Sequence, residues 1–147
     1  MTDWDHTESR FVDQVIGAFM FMRGSIFKKA GYFDERFFVY FEELDFSKRL
    51  AELGGKSYYS TAIKAIHSEN GTTMSVKGFR LFLYLKSRLQ YAKKHFGYPG
   101  YSLVWLSTFF IEPISRFLFC VVRGKFVEVK ELIQAYKLFM QAKIPGK

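Results

Sequence analysis

The sequence predicts a mixed α/β chain, on three observations. Two runs rich in β-branched and aromatic residues, Val12–Met22 and Ser57–Ile66, read as strands. A helix is spelled out over Glu42–Leu53 and stopped by Gly54-Gly55. A longer basic helix follows over Ser75–Phe96.

Taken in order, Met1–Arg10 is polar and acidic and has no apolar core of a signal peptide. Gly17 inside the first strand run points to a bulge or a close backbone approach. Ser25 is placed to cap a short helix, Ile26–Ala30, with Gly31 ending it. Phe33–Phe41 is an aromatic loop. In Glu42–Leu53 the apolar Leu44, Phe46, Leu50 and Leu53 are roughly helically spaced. Its first turn holds Glu42, Glu43 and Asp45, where the helix dipole favours acids. His67–Met74 is a polar turn. Ser75–Phe96 mixes Phe and Leu with Lys and Arg, and Gly97-Tyr98-Pro99-Gly100 is expected to break it. Tyr101–Val122 is very apolar but interrupted by Glu112, Pro113 and Arg116. It is therefore expected to fail as a bilayer span, with Pro113 breaking or kinking it into two short helices. Val127–Ala142 reads as a last amphipathic helix.

The 22 basic and 14 acidic residues leave a net charge of +8, and the excess is one-sided. Residues 1–73 hold 11 acids and 9 bases, whereas residues 74–147 hold 3 and 13. The two stretches therefore face different partners, and an anionic membrane surface suits the second. One cysteine, Cys120, excludes an internal disulfide and a cysteine-built zinc site. The 18 Phe residues form an apolar load for a core, a partner or a lipid surface. No Walker loop, no dinucleotide-binding glycine pattern and no serine-hydrolase elbow is present. Without a zinc-finger or RRM signature beside the basic helix, no nucleic-acid partner is expected.

Chemistry is concentrated between Phe33 and Asp45. Asp34, Glu35, Glu42, Glu43 and Asp45 stand among Phe33, Phe37, Phe38, Tyr40 and Phe41. Aromatic walls desolvate a carboxylate, raise its pKa and make it a better base. The plain alternative is an acidic helix start. His67 ends the second strand run, where it could ligate a metal, touch a phosphate or simply lie at the surface.

The ordered series Gly17-Ala18-Phe19-Met20-Phe21-Met22-Arg23, Gly31-Tyr32-Phe33-Asp34-Glu35, Phe37-Phe38-Val39-Tyr40-Phe41-Glu42-Glu43-Leu44-Asp45, Arg49, Gly54 and His67 resembles a known pattern. It is similar to the C-terminal part of family 2 inverting glycosyltransferases, especially the bacterial rhamnosyltransferase-like group that builds cell-surface polysaccharide. The match is strongest over residues 12–75. The resemblance implies the acceptor-side half of a GT-A, Rossmann-like fold over residues 1–74. Residues 75–147 would be a basic, aromatic-rich helical extension against the membrane. The family's metal-holding Asp-x-Asp should precede Gly17. Asp3-Trp4-Asp5 has the letters but lies too close to the Gly17 run and lacks a preceding apolar strand.

The resemblance further implies roles. Glu43 falls where the family has its catalytic base, usually Asp. Asp34, Glu35, Glu42, Asp45 and Arg49 would bind or support the acceptor site, with Arg49 pairing to Asp45 four positions earlier. His67 matches a histidine that helps to hold metal or diphosphate. The parent enzyme would use Mg²⁺ or Mn²⁺, a nucleotide-diphosphate sugar and a glycan or lipid-linked acceptor at the inner face of a bacterial membrane. The chain alone would lack the nucleotide site and be inactive, and surfaces exposed by truncation would favour a homo-oligomer. The alternative is a non-catalytic membrane- or partner-binding module derived from that fold.

Overall fold

The computed structural model describes residues 4–66 and 77–142. Among these the fold is mixed α/β, mostly helical, with a two-stranded sheet. They form two units, residues 4–36 with 41–66, and residues 37–40 with 77–142.

In the first unit β1 (Arg10–Val12) pairs antiparallel with β2 (Ser57–Tyr59), Phe11 facing Tyr58. Both strands are far shorter than the expected Val12–Met22 and Ser57–Ile66. Of the first run only Val12 is strand, and Ile16, Phe19 and Phe21 are exposed. Apolar β-branched composition makes a strand only where another backbone accepts its hydrogen bonds, and the pairing here ends after three residues. Helix α1 spans Gly24–Lys29, so Ser25 lies inside it and Arg23 occupies the cap without a side-chain bond. Gly31 does end it, at φ +83°, a conformation that costs glycine little. Helix α2 spans Glu42–Glu52, close to its expected length. Its Phe46 is 1% exposed and packs against Phe27 and Phe33, with ring centroids 5.5 and 5.3 Å away. Each such aromatic pair is worth about 0.5–1.5 kcal/mol beyond its buried area.

The second unit is helical: α3 (Lys77–His95), α4 (Gly97–Leu106), a π-helical turn (Ser107–Ile111), α5 (Glu112–Val122) and α6 (Phe126–Gln141). Leu85 and Leu89 of α3 meet Phe139 of α6 in its core, with Trp105 and Phe109 packed against them. Residues 37–40 lie along one stripe of α3. Ser87 Oγ donates to the Val39 carbonyl at 2.7 Å, Arg80 Nε to the Tyr40 hydroxyl at 3.2 Å, and Lys94 Nζ stands 5.8 Å from the Phe37 ring. These positions recur at sevens, one face of a helix.

As expected, the long basic helix stops at Gly97-Tyr98-Pro99-Gly100: α3 ends at His95, and Gly97, at φ +64°, opens a separate helix, α4. Pro99 falls in the first turn of α4, whose N–H groups need no intrahelical acceptor. One expectation fails in this unit: Pro113 does not break the apolar stretch. Gly97–Val122 is one helical run of 26 residues, long and apolar enough to cross a membrane by length and composition. The π turn sits just before Pro113, and the Tyr136 hydroxyl donates to the Thr108 carbonyl there at 2.8 Å. The two interrupting charges are paired, Arg116 Nε with Glu112 at 2.8 Å, and Arg88 joins both Glu112 and Thr108. Paired charges do not disqualify an apolar helix.

Candidate active site

The site is built on the start of α2. Tyr40 and Phe41, just before it, both have left-handed backbones, φ +67° and +70°. For bulky aromatic residues that costs about 1–3 kcal/mol each, and such strain gathers at functional positions. It also turns the chain so that Glu42 and Glu43 open the helix.

Both glutamates are half-buried, and in each the Oε2 oxygen is buried without a hydrogen-bond partner. Burial, and then the charge of Glu43, holds the Glu42 carboxyl above its ordinary 4.5. A carboxyl so raised binds its proton more tightly in the folded chain than in the unfolded one. Its contribution is full below 4.5 and is lost as pH rises through the folded value. Glu42→Gln should therefore flatten the fall in stability above that pH. Urea unfolding in a Trp105→Phe background, where Trp4 is the remaining tryptophan, would read it; an unchanged pH slope would refute the assignment.

Gly17 stands over Glu43. A Cβ at Gly17 would lie 3.5 Å from the Glu43 carboxyl carbon, an ordinary van der Waals contact, so the Gly17 backbone lies beside the Glu43 side chain.

Of the other acids, Asp34 and Asp45 are engaged by arginines. Asp45 is fully buried, and Arg49 Nε donates to it at 2.8 Å. The same guanidinium donates to the Ala30 carbonyl and, at 2.6 Å, to the Tyr32 carbonyl, so it ties the end of α1 to α2. Asp34 accepts from the Arg36 guanidinium, at 2.9 and 3.2 Å from Nε and 2.6 Å from Nη2, and from the Arg36 amide at 3.1 Å. That bond raises the Arg36 guanidinium further above its ordinary value. Glu35 is exposed. His67 lies outside the described residues, as does Asp3. Among the described residues no group of three or more His, Cys, Asp or Glu side chains converges, so these residues do not by themselves fit a divalent metal.

Two features escaped the sequence reading. The Arg36 clamp could have been found, since Asp-x-Arg is the spacing of an Asx turn with a side-chain return. The paired left-handed aromatics leave no compositional trace.

Known proteins similar to the chain were found in one comparison. The chain is 31% identical over 97 residues to the N-acetylglucosaminyl-diphospho-decaprenol L-rhamnosyltransferase of Mycobacterium tuberculosis, covering 65% of this chain and 32% of that protein. It is 37% identical over 82 residues to the rhamnosyltransferase WbbL of Escherichia coli K12, covering 54% of this chain and 30% of that protein. The chain thus spans about a third of the length of these curated relatives. No family model matches, and no solved structure matches. The similarity is distant and consistent, and it agrees with the resemblance carried by the motif series.

Proposed function

With homology to bacterial rhamnosyltransferases as the premise, we propose that this chain is the acceptor-side part of an inverting GT-A glycosyltransferase. The enzyme moves a sugar from a nucleotide-diphosphate donor to a hydroxyl of a lipid-linked or cell-surface glycan. Glu43 is the base. Its carboxylate takes the proton from the acceptor hydroxyl as that oxygen attacks the anomeric carbon, and the diphosphate leaves from the opposite face with the bonding pair. One observation carries this reading: a buried Glu43 oxygen without a donor, beside a residue with no side chain. A buried carboxylate oxygen without a donor is costly, and it leaves the carboxylate with proton-accepting capacity that no described protein group uses. Asp45–Arg49 and Asp34–Arg36 hold the surrounding backbone. A divalent metal on the donor diphosphate, with His67 near it, belongs to the same reading, and no step here runs through it.

The helical unit attaches the enzyme to the inner face of the membrane. Leu103, Phe110, Ile111, Ile114, Leu118 and Val122 are exposed along one 26-residue run. Arg123 and Lys125 follow it directly, as suits anionic headgroups.

The test is a fusion of this chain to the portion of the E. coli relative that it does not match. Transfer of labelled rhamnose from a nucleotide-diphosphate donor to a lipid-linked acceptor is the expected result. A folded fusion that binds vesicles but transfers nothing would favour the non-catalytic membrane module instead.

A further inference from the structure

The turn that opens α2 is strained twice over, at Tyr40 (φ +67°) and Phe41 (φ +70°). A left-handed backbone at consecutive bulky residues persists only where the surroundings over-determine it. On its far side the turn is fixed by α2. The Phe41 carbonyl accepts the Asp45 amide at 2.9 Å, and Asp45 is itself paired with Arg49. The near side, residues 37–40, lies on α3.

Helix α3 grips that near side at the atoms that define the Tyr40 dihedral. The Val39 carbonyl shares a rigid peptide plane with the Tyr40 nitrogen, and it accepts from Ser87 Oγ at 2.7 Å. The Tyr40 side chain is held separately. Its hydroxyl accepts from Arg80 Nε at 3.2 Å, and its ring meets the Tyr84 ring edge-on at 6.0 Å. With the plane and the side chain both fixed, rotation about the Tyr40 N–Cα bond between them is fixed too. Ser87 is 3% exposed and stands in a helix interior, where serine is a mediocre helix former. A buried hydroxyl there needs a partner, and the Val39 carbonyl is that partner.

Glu42 and Glu43 follow the turn directly, each with a buried Oε2 that has no hydrogen-bond partner. We infer that Ser87 is a positioning residue for Glu43. It holds the left-handed turn from which α2 starts, and through that turn the carboxylate. This rests on the reading of Glu43 as the base, and it places part of the control of that base in the helical unit.

The first test needs only the full chain. Exchange of the Asp45 amide, read by NMR, reports opening of the bond to Phe41 that starts α2. Ser87→Ala should speed it about fivefold, the net worth of one hydrogen bond. The Phe139 amide, in the core of the helical unit, should gain less. Ser87→Thr keeps the hydroxyl and should restore slow exchange. Tyr40→Phe removes only the hydroxyl that Arg80 reaches, and it should act in the same direction even if a variant at Ser87 fails to fold. The second test is kinetic and uses the fusion enzyme. Ser87→Ala should lower kcat about tenfold with acceptor KM unchanged, as a misplaced reacting group does. Added to Glu43→Gln it should change nothing more, because a residue that acts through another has no effect once the other is gone.

Equal acceleration at Asp45 and Phe139 would overturn the inference in favour of a stabilising role alone. Kinetic effects of Ser87→Ala and Glu43→Gln that multiply in full would overturn it as well. So would unchanged Asp45 exchange in both Ser87→Ala and Tyr40→Phe. The reading it rests on fails differently. A Glu43→Gln enzyme that transfers at the parent rate would remove the base and with it any positioning of it. A slow Glu43→Gln enzyme with unchanged Asp45 exchange in Ser87→Ala would keep the base and remove Ser87.

Discussion

Glu43→Gln in the fusion enzyme is expected to lower the rate of sugar transfer by about 10²–10⁴-fold, the usual worth of a positioned base. Glutamine keeps the shape and the hydrogen-bonding oxygen but cannot accept the proton. Acceptor KM should change little, because the side chain still fills its place beside Gly17. Glu43→Asp is the informative companion. It shortens the side chain by one methylene and draws the carboxylate back toward α2, so partial activity would indicate that reach limits the step. A Gln variant that transfers at the parent rate would remove Glu43 from the mechanism, and the half-buried Glu42 would become the next candidate.

The second large effect concerns stability. Arg49→Ala strips the guanidinium from a fully buried Asp45 and removes the donor from two backbone carbonyls. Breaking a buried pair from one side costs about 3–5 kcal/mol, a large share of what a small unit has. Trp4 packs at 5.0 Å from Tyr59 in the same unit, so its fluorescence in urea reports the loss. Arg49→Lys should fall between, since an ammonium keeps the charge but not the three-way fork. A cost below about 1 kcal/mol, the scale of an exposed pair, would show that this bridge does not hold α1 to α2.

How far these features could be read in advance depended on the kind of signal. Helix α2 was legible almost to its ends, because first-turn acids, apolar spacing and a Gly-Gly stop act within the segment itself. Helices α3 and α6 were legible for the same reason. The strands were not. Val12–Met22 has strand composition, but pairing is a property of two backbones, and β2 offers three residues. The apolar helix was misjudged because Glu112 and Arg116 were counted as free charges. Their neutralisation by each other and by Arg88, 24 positions before Glu112, is visible only in three dimensions. In the candidate site the acids were found, but not their division of labour. Asp34 and Asp45 are engaged by Arg36 and Arg49, whereas Glu42 and Glu43 each keep a buried oxygen with no donor. One-dimensional spacing says which carboxylates share a neighbourhood, and arginines decide which of them are free to react.

The four residues 37–40 give the chain an interleaved order, in which the path enters the helical unit, leaves it, and returns after β2. No single cut can therefore release either unit whole. A protease nick or a gene boundary after β2 would take Phe37, Val39 and Tyr40 away from the α3 stripe that holds them, leaving Ser87 and Arg80 without those acceptors. Exchange of the helical unit between related chains would have to carry the aromatic loop with it.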